Sequence, residues 1–135
     1  MTYTFAVDWD GTLVEGLWPE MGDWLPGAIA ALHKLDTMGT VVIHTCRVAP
    51  FEIDNKTWRD SKVTSEAVRE VHAMLEAEGL GHIEVWVRPY KPPALVYIDD
   101  RAIRFTGNWN RVLADVELSL RRAAYSTDVI GGMVE

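Results

Sequence analysis

Asp8 and Asp10 flank a single tryptophan in Asp8-Trp9-Asp10-Gly11-Thr12, at the end of the apolar run Phe5-Ala6-Val7. Two carboxylates one residue apart repel, and one is driven toward its protonated form unless a cation stands nearby. A divalent cation with a phosphorylated substrate is the simplest compensation. Thr45 and Arg47, then Lys91, then the pair Asp99-Asp100 follow along the chain. Together these are the parts of a phosphoryl-transfer site. One carboxylate can attack phosphorus and split a hard step in two. A second acid can protonate the leaving oxygen and then activate water. A lysine and a hydroxyl can hold the charge that spreads over the equatorial oxygens. Unaided phosphate-monoester hydrolysis is so slow that an enzyme must supply roughly 20 kcal/mol or more.

Two plainer readings of the acidic pair are weaker. Asp and Gly are common in turns, but a turn needs no second acid behind an apolar strand. An EF-hand loop needs Gly at its sixth position and an acid at its twelfth. Counted from Asp8, those positions are Leu13 and Pro19.

The elements that must position these residues alternate. Thr2 to Val7 reads as a buried strand, with Gly11 allowing a sharp turn after it. A Trp- and Gly-rich stretch, Leu13 to Trp24, follows. Pro26 suits the first turn of a helix and Gly39 its end, with Ala28, Ala31, Leu32 and Leu35 as the apolar face. Val41 to Thr45 is the second strand, and Val48 to Val63 is polar and irregular. Thr64 suits the cap of a second helix, with Glu66 in its first turn, whose Val68, Val71 and Leu75 face inward and which Gly79 or Gly81 ends. Ile83 to Val87 and Ala94 to Ile98 are the third and fourth strands. A last helix spans about Asn110 to Ala123 with Val112, Val116 and Leu120 inward. The expected organisation is one domain over 1–124 and a loose tail over 125–135. Alternation of this kind predicts an α/β fold: three Rossmann-like layers around a mostly parallel sheet. Ligands of such sheets bind beyond the carboxyl ends of the strands, where all the residues above fall.

Composition narrows the function classes. The 135 residues suffice for one domain with a real core, and 48% hydrophobic with 24% charged residues is ordinary for a globular protein. No apolar run approaches the roughly 18 residues of a membrane span. The N-terminus lacks a basic segment followed by an apolar one, as a signal peptide has. The single cysteine, Cys46, cannot form an internal disulfide, which fits a reducing, cytoplasmic setting. A net charge of -7 disfavours nucleic acid and anionic membrane as partners.

Four motifs in order at strand ends give the chain a resemblance. Asp8-Trp9-Asp10-Gly11-Thr12-Leu13-Val14, Thr45 closing the second strand, Lys91, and Tyr97-Ile98-Asp99-Asp100-Arg101 match the four motifs of the haloacid dehalogenase (HAD) superfamily of phosphotransferases. The likeness covers about residues 3 to 121. It implies a magnesium-dependent phosphomonoesterase acting through an aspartyl-phosphate on small phosphorylated metabolites or nucleotides. It implies Asp8 as nucleophile and magnesium ligand. Asp10 is implied as general acid and base, ligating metal through its backbone carbonyl. Thr45 and Lys91 are implied to bind phosphoryl oxygens, with Lys91 also restraining Asp8. Asp100 is implied as the direct metal ligand and Asp99 as a more distant one. Gly11, Thr12 and Arg47 are implied on the substrate side, Arg47 either on a substrate phosphate or on the acid cluster. Lys91 lies only eight residues before Asp99, a short spacing also found in the deoxyribonucleotidase-like branch; Lys62 is the alternative lysine.

Most HAD proteins insert a cap domain after the first motif or between the second and third. Here 11–26 allows only a short flap and 48–63 is too short for a domain, so the chain resembles the small capless HAD-like hydrolases of bacteria and phages. Substrate choice then falls to flap and loop residues. Trp9, Trp18, Trp24, Phe51 and Trp58 can either stack on a nucleobase or cover a small core. An open site also admits a second subunit that would close it, giving a homo-oligomer. His33, His44, His72 and His82 show no metal-ligand spacing, and Cys46 lacks the phosphate-cradling loop of a thiol phosphatase. Two alternatives remain: a phosphatase that processes nucleic-acid ends, and a catalytically silent HAD-like binding module.

Overall fold

In the computed structural model, residues 2–48, 52–53, 56–57 and 62–130 are described; side chains at 52–53, 56–57, 62–65 and 126–130 are not. The expectations placed on Phe51 and Trp58, and on the Lys62 ammonium, lie outside the described residues. The chain divides into two compact units, Met1–Asp100 and Arg101–Glu135.

The first unit is α/β, as expected. Strand β1 (Thr4–Val7) leads through the flap to helix α1 (Ala28–Met38) and strand β2 (Thr40–Ile43). A single tight turn, Cys46–Val48, follows. Two short strands, β3 (Glu52–Ile53) and β4 (Lys56–Thr57), pair antiparallel inside the stretch expected to be irregular. Helix α2 (Lys62–Ala77), strand β5 (Glu84–Val85) and strand β6 (Val96–Ile98) complete the unit. The main sheet has the order β5-β2-β1-β6 and is parallel throughout. Phe5 pairs with Val41 and Val96, and Val7 with Ile43 and Ile98, so their side chains share faces by the period of two.

The core lies where that periodicity puts it. Phe5, Val7, Val41 and Ile43 from the sheet meet Ala28 and Leu32 of α1 and Val71 and Leu75 of α2. Ala31, expected on the apolar face of α1, is exposed. Helix α1 also begins later than Pro26 suggests. Gly27 holds the N-cap with φ 84°, a left-handed conformation that cannot continue a helix, so Pro26 stands outside it. Helix α2 starts at Lys62, ahead of Thr64. It ends through a Schellman turn: Leu80 N–H donates to Leu75 O at 2.8 Å and Gly79 N–H to Glu76 O at 3.0 Å, with Gly79 at φ 75°. Gly79, not Gly81, is therefore the stop.

The second unit contains helix α3 (Trp109–Ile130), whose first turn is capped by Asn108 Oδ1 accepting from Arg111 N–H at 3.2 Å. Residues 125–130, expected to be loose, continue this helix. Val112 is half-buried, but Val116 and Leu120 are 39% and 65% exposed rather than inward. No other helix or strand lies in this unit among the described residues, so none within it buries them.

Candidate functional site

The carboxyl ends of β1, β2 and β6 are held level by the sheet. Asp8 N–H donates to Ile98 O at 2.9 Å and His44 N–H to Val7 O at 2.9 Å. Just past that line the chain reverses tightly: Trp9 O accepts the N–H groups of Thr12, Leu13 and Val14 at 3.2, 2.9 and 3.2 Å. Trp9 itself points inward. It is 0% exposed, its Nε1–H donates to Met21 Sδ at 3.2 Å, and its ring meets Trp24 edge-on at 5.2 Å. With Leu13 and Val14 also buried, the near side of the flap is core. Of the aromatic residues weighed for stacking on a base, Trp9 is thus excluded, while Trp18 is exposed.

On the opposite side of that peptide, Asp8, Asp99 and Asp100 each present a carboxylate oxygen, all within 4.8 Å of one another. Thr12 lies between two of them. Its hydroxyl is 3.3 Å from both Asp8 Oδ2 and Asp100 Oδ1, and it accepts from Asp100 N–H at 3.1 Å. One hydroxyl proton serves only one acceptor fully, so two carboxylates compete for it. Gly11 has φ at +83°, a conformation that favours glycine, and a Cβ there would stand 2.5 Å from Asp100 Oδ2, so a larger residue would also have to push that carboxylate aside. The Asp8 carboxyl is pushed up from 3.8 to about 6. Burial is the largest cause, opposed by the hydrogen bond from Trp9 N–H and reinforced by the charges of Asp99 and Asp100 and a hydrogen bond to Asp100.

Asp10 does not join this trio. Arg47 Nε–H donates to Asp10 Oδ2 at 3.0 Å and Arg47 Nη2–H to Asp10 Oδ1 at 2.6 Å. The same guanidinium donates to Pro19 O at 3.0 Å and Glu20 O at 2.7 Å. Of the two readings of Arg47, this geometry takes the one on an acid. Thr45 is buried and its Oγ1 accepts from Arg47 N–H at 3.1 Å, so its hydroxyl proton is left to donate. Lys91 places its ammonium 4.0 Å above the Tyr97 ring rather than against a carboxylate, and the Tyr97 hydroxyl donates to Pro92 O at 2.6 Å. His44, beside Thr45, has its pKa lowered by burial and then by the Lys91 charge. Sequence reasoning did not anticipate Met21 as the partner of Trp9; a methionine in a loop carries no signal of its own.

No protein-family model matches the chain, and no curated protein matches it. A solved structure of a conserved protein from Bacteroides thetaiotaomicron superposes with a TM-score of 0.54 at 22% identity, over 88% of this chain and 93% of that one. That likeness bears on the fold alone. Fold and geometry together define a small Rossmann-like α/β protein with an acidic cluster at the carboxyl edge of its sheet.

Proposed function

We propose that the protein is a magnesium-dependent phosphomonoester hydrolase that works through an aspartyl-phosphate on Asp8. The observation that carries this reading is the trio Asp8, Asp99 and Asp100 with oxygens within 4.8 Å at the carboxyl ends of β1 and β6. Three carboxylates that close, one of them with a carboxyl raised to about 6, are a donor set suited to a hard divalent cation. Asp8, Asp99 and Asp100 would hold magnesium, with the Asp10 carbonyl as a further oxygen. When bound, magnesium neutralises the carboxylates and the phosphoryl oxygens.

The protein's own groups divide the chemistry. An Asp8 oxygen forms a bond to phosphorus as the bond from phosphorus to the leaving oxygen breaks. Asp10 gives the leaving oxygen a proton, so an alcohol departs. Asp10 then takes a proton from water as the water oxygen attacks phosphorus. The acyl phosphate breaks, Asp8 is restored and inorganic phosphate leaves. The buried Thr45 hydroxyl donates to a phosphoryl oxygen. Lys91 serves the same oxygens once it leaves the Tyr97 face. Small phosphorylated metabolites or nucleotides are the substrates this reading favours: an uncapped site would admit a polymer end, but a net charge of -7 disfavours nucleic acid.

The decisive experiment compares wild type with Asp8→Asn on an aryl phosphate in the presence of magnesium. The variant keeps the shape and loses the nucleophile, so hydrolysis is expected to fall by at least about a thousandfold. Wild-type turnover in the variant refutes the covalent route. Retained magnesium binding without turnover on a broad phosphate panel returns the binding-module reading.

A further inference from the structure

Arg47 stands between the second strand's end, the flap and Asp10, and hydrogen bonds link it to all three. Its side chain is 4% exposed. Four of its hydrogen bonds are to its own chain: two to the Asp10 carboxylate and two to the carbonyls of Pro19 and Glu20. A guanidinium has five N–H donors in a fixed plane, so this one is nearly saturated and cannot turn toward a phosphate without dropping a carboxylate or the flap. The flap, in turn, is tied at its base by Glu15 N–H to Asp23 O at 2.9 Å and Leu25 N–H to Leu13 O at 2.8 Å, and seated on Trp9 through Met21 and Trp24.

From this geometry we infer that Arg47 is a positioning residue, not a phosphate ligand: it fixes the Asp10 carboxylate and clamps the Pro19–Glu20 segment so that the proton donor and the flap move as one body. The inference rests on the phosphatase reading for its catalytic half. Bidentate pairing occupies one lone-pair site on each Asp10 oxygen and leaves another on each, so Asp10 can still carry a proton at a defined angle. Lysine cannot replace this. It supplies one point charge where two oxygens and two carbonyls are held in a plane.

The test is steady-state kinetics of Arg47→Lys on two substrates, an aryl phosphate with a good leaving group and an alkyl phosphate with a poor one. Proton donation matters only for the poor leaving group. The variant is therefore expected to lose at least about tenfold more kcat/KM, which reports the step that expels the leaving group, on the alkyl ester than on the aryl ester. KM and inhibition by inorganic phosphate are expected to stay within about twofold of wild type. A rise in KM together with weaker phosphate inhibition, at an unchanged ratio of kcat/KM between the esters, overturns the inference and makes Arg47 a phosphate ligand. Asp10→Asn gives the second arm: Arg47→Lys added to it is expected to cost nothing more on the alkyl ester, and a further independent loss overturns the coupling. If wild type turns over neither ester, the phosphatase reading fails by itself. Amide hydrogen exchange then decides the clamp: faster exchange at residues 17–23 in Arg47→Lys supports it, and unchanged exchange overturns it.

Discussion

At Asp8, burial and two neighbouring carboxylates act in the same direction, and the result is a folded state that prefers the protonated acid. An acid whose pKa is raised on folding stabilises the fold while protonated. That contribution is intact below the ordinary value of 3.8 and is lost as pH rises through 3.8 toward about 6. Without metal, Asp8→Asn is thus expected to be more stable than wild type at about pH 8 by roughly 1 kcal/mol after discounting for partial exposure, and to unfold at a higher temperature. The gap is expected to close below about pH 4. Thermal unfolding in a chelating buffer at both pH values checks this, and a constant gap refutes it. His44 contributes the opposite slope, since a base with lowered pKa loses stability as pH falls, but it is common to both proteins and cancels. At this scale the identities of the acids were legible because residue type and strand-end placement are local facts. The pairing of Arg47 with Asp10 was open in the sequence because the decision rests on two flap carbonyls that no residue letter encodes. The same holds for Trp9, whose ring direction is set by Met21 and Trp24.

Among the elements, the flap departs most from its sequence description. It reads as a loop rich in glycine and tryptophan, yet Leu13 and Val14 are buried and Val14 bridges to both Asp10 and Trp24. Trp24→Ala removes the edge-on ring contact and part of the cover over Trp9. It is expected to cost about 2 kcal/mol of stability and to speed amide exchange in the flap before the sheet opens. Denaturant unfolding and residue-resolved exchange check the two parts, and uniform exchange across flap and sheet rules out a separately seated flap. Strand positions were readable from the apolar runs, but their lengths were not. Ile83 to Val87 shrinks to Glu84–Val85: β2 stops at Ile43 opposite Val85, and at the other end the Ile83 N–H is taken by Leu80 O in the preceding turn. Helix starts moved for local reasons: a left-handed Gly27 delays α1 beyond Pro26.

The parallel order β5-β2-β1-β6 brings the ends of β1 and β6 together, which is what gathers Asp8, Asp99 and Asp100 from positions more than 90 residues apart. Alternating strands and helices made this sheet legible in advance; the exposed face of α3 was not, since amphipathic spacing states only that a face wants a partner, not where one lies. No helix among the described residues is long and apolar enough to cross a membrane. On the proposed reading, a cation held by the three carboxylates would bind the folded chain and not the unfolded one. Magnesium is therefore expected to raise the unfolding temperature at neutral pH, by an amount equivalent to about 2.7 kcal/mol at a hundredfold excess over its dissociation constant, and a chelator to reverse it. Asp8→Asn is expected to lose most of that response. A midpoint insensitive to magnesium in wild type refutes the metal site.

Trp9 is flanked by the two acids and is wholly inside. The peptide that aims Asp8 and Asp10 is therefore also the peptide that anchors the core, and the two roles have no hinge between them. Sequence change at this position carries a double penalty: any ring that fits less well shifts both acids together. Drift at this position should therefore disturb the acids and loosen the core together, leaving descendants that are less stable as well as altered at the acidic cluster.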